Sequence, residues 1–178
     1  MNIPLIQNFN PILKIKICTS NIILKKFIPN EWLFILMNTG SFTQILNTLI
    51  INDINTNICQ KYNNNQPTQF TNTRSIWLIK NNHKLAFAQS RWIIKNNYQN
   101  FITLLNNQPI GQSFIINETD LYKNIEEIYC GYCYTLEKSF ESKQLIWGRK
   151  YTLFYSDTSF ITIQEYFSPK LSKLLQYN

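Results

Sequence analysis

The segment from Leu145 to Leu171, LIWGRKYTLFYSDTSFITIQEYFSPKL, puts a carboxylate where a sheet normally carries an apolar side chain. Read as a hairpin, its second arm runs from Phe160 to Phe167, and residues two apart share a face. Ile161, Ile163, Glu165 and Phe167 then point the same way, and three of the four are apolar, so Glu165 is expected inside. A buried, ionised carboxylate without partners is costly. Glu165 therefore needs a cationic partner, a raised pKa or a ligand. A structural carboxylate held by a buried arginine and a functional acid stand level as readings.

Lysine is the common basic residue here, and the chain has only three arginines, Arg74, Arg91 and Arg149. Each retained arginine points to a need for paired N–H geometry. Two strands are expected over Arg74 to Ile79 and Lys84 to Ile94, around a turn at Asn81, Asn82 and His83. Arg74 shares a face with Ile76 and Leu78, and Arg91 shares one with Leu85, Phe87 and Ile93. If these faces and that of Glu165 are one, the sheet encloses two guanidinium groups and one carboxylate. The excess positive charge would be completed by a small dianion. The plainer alternatives are that Arg74 or Arg91 extends to the rim, or that Glu118, Asp120 or Glu127 supplies the missing charge.

Metal and redox chemistry find little support. Cys18, Cys59, Cys130 and Cys133 make no disulfide framework at this length, and the C-x-x-C at Cys130 has no second ligand pair beyond the lone His83. No metal or organic cofactor is expected.

At 178 residues the chain fits one domain, 1–178, with 1–28 as an N-terminal extension. Its net charge of +7 favours anionic partners, but the basic residues do not cluster and no nucleic-acid motif is present. No run reaches the roughly 20 apolar residues of a membrane span, and Pro4, Gln7 and Asn8 break the one apolar stretch a leader would use. The weight of Asn, Ile and Lys is a coding bias of AT-rich genomes, as in many organelles.

The elements that must hold these residues read as follows. Residues 1–28 are irregular or a short strand. Asn30 caps a helix with Trp32, Leu33, Ile35 and Leu36 on its apolar side, stopped at Gly40. Ser41 opens a second helix with Gln44 completing a capping box. A strand around Ile51 to Ile58 leads to a polar loop from Tyr62 to Thr73. After the Arg74 and Arg91 strands come a short helix from Tyr98 to Leu105 and a Pro109 to Gly111 turn that opens the Ile110 backbone. A helical turn at Glu118 to Asn124, a strand from Ile125 to Tyr134, a polar link from Glu137 to Lys143, the final hairpin turning at Ser156 to Thr158 and a closing turn at Leu171 to Leu175 complete the chain.

Five motifs in this order, R-S-I-W-L at Arg74, L-A-F-A-Q-S-R ending at Arg91, P-I-G at Pro109, W-G-R at Trp147 and I-Q-E-Y-F-S-P from Ile163, resemble chorismate lyase. They are most similar to its cyanobacterial and algal-plastid branch, Ycf21, over roughly Trp32 to Leu171. The resemblance implies an α+β fold, with a single antiparallel sheet of about six strands, helices on one face and helical flaps over an internal cavity. It implies cleavage of chorismate to 4-hydroxybenzoate and pyruvate without metal or cofactor, with plastoquinone synthesis as the outlet. By the same resemblance Arg91 and Glu165 are catalytic, and Arg74, Phe42 and Ile110 bind substrate. The partners implied are one dianionic small molecule, with no nucleic acid and no membrane, for a monomer encoded in the organelle and working in the plastid stroma. Two rival functions use the same fold: a non-catalytic binder of small anions or aromatics, and an accessory protein of photosynthetic assembly.

Overall fold

The computed structural model describes residues 8–17, 26–49, 55–66, 69–95, 122–156 and 159–172. The described residues form one open antiparallel sheet of seven strands, β1 (Asn10–Lys16), β2 (Asn55–Gln66), β3 (Gln69–Lys80), β4 (His83–Lys95), β5 (Tyr122–Tyr132), β6 (Ile146–Ser156) and β7 (Ser159–Phe167). Their order is β1-β5-β6-β7-β4-β3-β2. Among the described residues three helices accompany it, α1 (Asn30–Leu36), α2 (Phe42–Leu49) and α3 (Tyr134–Phe140). This is the expected α+β class. The short strand anticipated before residue 28 is β1, paired with β5 along one edge.

Several element boundaries differ from expectation for local reasons. Of the polar tract from Tyr62 to Thr73, residues 62–66 and 69–73 belong to the long strands β2 and β3, not to a loop. Backbone pairing in a sheet needs no apolar alternation at an edge, and it overrides the weak strand propensity of Asn and Gln. The link from Glu137 to Lys143 is mostly helical: Leu136 and Phe140, four apart, bury one side of α3. Pro29, not Asn30, sits at the cap of α1, and Asn30 is its first helical residue. Ser41 does cap α2, accepting the Gln44 N–H at 3.4 Å. The expected helix over Tyr98 to Leu105 and the turn at Ile110 lie outside the described residues.

Both sheet faces are packed. On one, α1 and α2 bury Trp32, Ile35, Leu36, Phe42 and Leu46 against Leu78, Trp147 and Phe167, with Trp32 stacked on Trp147 and Phe42 edge-on to Phe167. On the other, Leu136 and Phe140 of α3 join Trp77, Phe87, Tyr129 and Tyr166. Helices thus touch both faces, where one helical face was expected.

Register fixes which side chains meet. On the α1 and α2 face, one row across the sheet reads Leu78, Ala86, Phe167, Trp147, Cys130 from β3 to β5. The next is Ile76, Ala88, Glu165, Arg149, Ile128, and the third is Arg74, Ser90, Ile163, Tyr151, Ile125. The fourth is Asn72, Trp92, Ile161, Leu153, Lys123. Charge therefore begins one row beyond the apolar contact of the helices.

Gly148 is what lets these rows lie flat. On the far face it stands between Tyr129 and Tyr166, and an added Cβ would collide with the Tyr129 ring and come 2.5 Å from the Glu165 carbonyl oxygen. Gly148→Ala is expected to cost about 1–3 kcal/mol, as overpacking in a core does, read as a lowered midpoint in urea. An unchanged midpoint contradicts this packing.

Candidate active site

Glu165 is where its strand parity put it, facing inward between Ile163 and Phe167, and its side chain retains 11% exposure. Its partner is Arg149, directly opposite on β6. Arg149 Nε donates to Glu165 Oε2 at 2.7 Å, and the Tyr151 hydroxyl donates to Oε1 at 2.9 Å. A carboxylate accepts about four hydrogen bonds, so each oxygen keeps room for a ligand.

Arg149 is wholly buried and does a second job. Its Nη1 donates to the carbonyls of Ile35 at 2.8 Å, Leu36 at 3.2 Å and Asn38 at 2.8 Å. These are carbonyls at the end of α1, which have no partner within a helix and carry its negative dipole end. One guanidinium thus ties α1 to the sheet beside Glu165. Lys123 adds a second tie, donating to Asn38 O at 3.1 Å and Gly40 O at 3.3 Å, with its ammonium 4.1 Å from the centre of the Tyr151 ring. From the far face the Tyr129 hydroxyl lies within 3.1 Å and 3.3 Å of the Arg149 and Glu165 carbonyls, steadying both backbones.

The electrostatics follow from these contacts. Burial, the largest influence on Glu165, raises its pKa, but Arg149, Lys123 and the two side-chain hydrogen bonds together bring it below the usual carboxylate value. It is therefore ionised at neutral pH. The Tyr151 phenol is pushed well up by burial, with the Glu165 carboxylate adding to it against Arg149, and so stays a neutral donor. Lys123 is pushed down to about 7 by burial and then by Arg149, with Glu165 opposing.

Arg74 shares this face and is buried, one row from Glu165 with β4 between them. The β4 side chains on that path are Ala88 and Ser90, and Ala88 is only half-buried. Strand spacing puts the Arg74 and Glu165 backbones about 12 Å apart, over a floor of small side chains. Ser90 Oγ accepts from Trp92 Nε1 at 2.7 Å and lies 3.4 Å from the Arg74 carbonyl.

Arg91 is not brought here. It pairs with Thr73 and Thr162, on the opposite face from Arg74 and Glu165, and is exposed. The cause is local. Asn81 and Asn82 form a two-residue turn with φ of 46° and 64°, pairing Ile79 with Lys84, but Leu78 pairs with Ala86. Leu85 is the extra residue of a bulge, and one inserted residue reverses the face of everything beyond it. Continued without the bulge, the register would have set Arg91 opposite Asn72, on the face of Arg74. Arg91→Ala is accordingly expected to leave melting temperature and any turnover within about twofold of the parent, since exposed substitutions remote from a site act weakly. A large loss of turnover would place Arg91 in the site.

Phe42 opens α2 and is buried beside Phe167, near this face, whereas Ile110 lies outside the described residues. Tyr151 and Lys123 were not singled out from sequence, and Arg149 was named as a retained arginine and in the W-G-R motif but not as a site residue. Arg149 carried a usable signal, since Trp147, Tyr151 and Leu153 on its own parity are apolar or aromatic, just as for Glu165. Among the described residues no cluster of His, Cys, Asp or Glu could hold a metal, and Cys130 and Cys133 pack into separate cores. No described helix is long and apolar enough to cross a membrane.

A family model described as "Chorismate pyruvate-lyase Rv2949c-like" matches residues 36–175. A protein of Antithamnion sp. named "Uncharacterized protein ycf21" is 72% identical over all of both chains. Its namesakes in Porphyra purpurea and Pyropia yezoensis are 41% and 36% identical, each over 81% of this chain and 84% of their own. The name ycf is given to plastid-encoded genes in algae. The matched span includes the end of α1 and every charged residue of the buried face, and the chain belongs to the Rv2949c-like chorismate pyruvate-lyase family.

Proposed function

We propose that the protein binds chorismate over the face carrying Glu165 and Arg74 and cleaves it to 4-hydroxybenzoate and pyruvate. The observation that carries this reading is an ionised Glu165, held by Arg149 and Tyr151, set across Ala88 and Ser90 from the buried Arg74. Among the described residues, Arg149 and a partly protonated Lys123 flank the one carboxylate of Glu165, a balance that suits an anion, and chorismate carries two carboxylates.

In the reaction the ether bond between ring and enolpyruvyl group breaks. The ring carbon bearing the hydroxyl loses its proton as the ring aromatises, and the enolpyruvyl methylene gains one to give pyruvate. Atoms and electrons balance without a co-reactant. Arg74 holds the ring carboxylate by paired N–H bonds, and Glu165 accepts the ring hydroxyl and takes the proton that its carbon loses, to be passed to the enolpyruvyl methylene. The cations beside Glu165 stabilise charge on the departing enolpyruvate. Phe42, at the start of α2, closes the apolar side. The setting proposed is the plastid stroma, with the protein encoded in the organelle and its product feeding quinone synthesis, a reading supported by the plastid gene name of its relatives.

A second reading, a non-catalytic binder of small anions on the same fold, is favoured by one fact: Glu165 already has a charge partner in Arg149. Incubation with chorismate separates the two. Appearance of 4-hydroxybenzoate and pyruvate in equal amounts supports the lyase, and saturable binding with neither product supports the binder.

A further inference from the structure

Two carboxylates ask for two cationic anchors, and Arg91 points to the other face. The buried face holds donors that the protein's own contacts leave over. An ammonium has three N–H groups, and Lys123 uses two, on Asn38 O and Gly40 O. Arg149 Nη2 is buried and has no hydrogen-bond partner. The two heads are neighbours, since both donate to the Asn38 carbonyl oxygen. Leaving a guanidinium nitrogen buried without an acceptor is expensive unless something else arrives to accept.

We propose that Lys123 and Arg149 Nη2 form the second anion-binding point of the site, receiving one carboxylate of a dianionic ligand while Arg74 receives the other. This rests on the chorismate reading and assigns its specificity to Lys123. Among the described residues, the groups around the ammonium are Arg149 and Tyr151 from β6, Glu165 from β7 and the carbonyl oxygens of residues 38 and 40. Burial among them leaves Lys123 about half protonated near pH 7 when no ligand is present. A carboxylate placed beside it favours the ammonium, so a dianion binds with uptake of a proton, and its affinity weakens as pH rises.

Calorimetric titration of the full chain with chorismate and with 4-hydroxybenzoate, in two buffers of different ionisation enthalpy, reads both effects. Wild type is expected to take up about half a proton per chorismate at pH 7 and to bind it about tenfold more weakly at pH 8 than at pH 6. The monocarboxylate should change less than about twofold. Lys123→Met should lose about tenfold or more in chorismate affinity at pH 6, keep its affinity for 4-hydroxybenzoate and show no proton uptake. Lys123→Arg should keep the affinity and lose the pH dependence, and it decides alone should the methionine variant not fold. Chorismate binding by wild type without proton uptake, or equal binding by Lys123→Met, or persistent pH dependence in Lys123→Arg, overturns the assignment while leaving the chorismate reading intact. No chorismate binding by wild type overturns both.

Discussion

Arg149→Met should destabilise the fold by about 3–5 kcal/mol, the range for removing one partner of a buried ion pair. Two losses add up at this position. Glu165 keeps its charge among Ile163, Phe167 and Tyr151 with its main partner gone, and the carbonyls of Ile35 and Leu36 lose the donor that closes α1. Lys123 still reaches Asn38 and Gly40, so α1 is loosened rather than released. For a chain of this size the loss amounts to a fall of about 6–20 °C in melting temperature. Arg149→Met combined with Glu165→Leu should recover part of it, because a buried pair removed together leaves no orphan charge. Thermal and urea unfolding of the three variants measures this. A single substitution costing under about 1 kcal/mol would mean that Arg149 does not organise the face.

Glu165→Gln is expected to separate chemistry from binding. The amide is nearly the size of the carboxylate and still accepts from Tyr151, but it cannot match the charge of Arg149 or take the proton that the hydroxyl-bearing ring carbon loses. Turnover of chorismate should fall by about 100-fold or more, the usual weight of a positioned acid–base group, while chorismate affinity falls much less. The pH signs are fixed by the same contacts. The folded pKa of Glu165 lies below the ordinary 4.5, so its ion pair contributes stability above that value, lost as pH falls through the folded one. Glu165→Gln should therefore be less stable than wild type at neutral pH and lose less stability between there and strong acid.

How much of this was legible in the chain depends on what parity can see. Alternation put Glu165 and Arg74 on a buried face, because Ile163 and Phe167 flank the first two residues away and Ile76 and Leu78 follow the second on its own parity. It failed at Arg91, since a bulge at Leu85 is a matter of pairing and leaves no mark in the alternation of a single strand. Lys123 was hidden for another reason: the strand was expected to start at Ile125, and β5 starts at Tyr122 because it pairs with β6 through Phe154. The tract from Tyr62 to Thr73 read as loop because Asn, Gln and Thr carry turn signals, whereas residues 62–66 and 69–73 lie in the paired strands β2 and β3. The N-cap of α2 at Ser41 was readable, and so was the turn at Asn81 and Asn82, although His83, expected in the turn, already belongs to β4; local chemistry dictates both.

The measurement that bears most directly on the whole is the initial rate of 4-hydroxybenzoate release from chorismate by wild type, Arg91→Ala and Glu165→Gln, prepared and assayed together. The expected result is product from wild type and from Arg91→Ala at similar rates, and a rate lower by about 100-fold or more from Glu165→Gln. Equal rates from wild type and Glu165→Gln, or a collapse in Arg91→Ala with Glu165→Gln unaffected, would put the chemistry on a different face of the sheet.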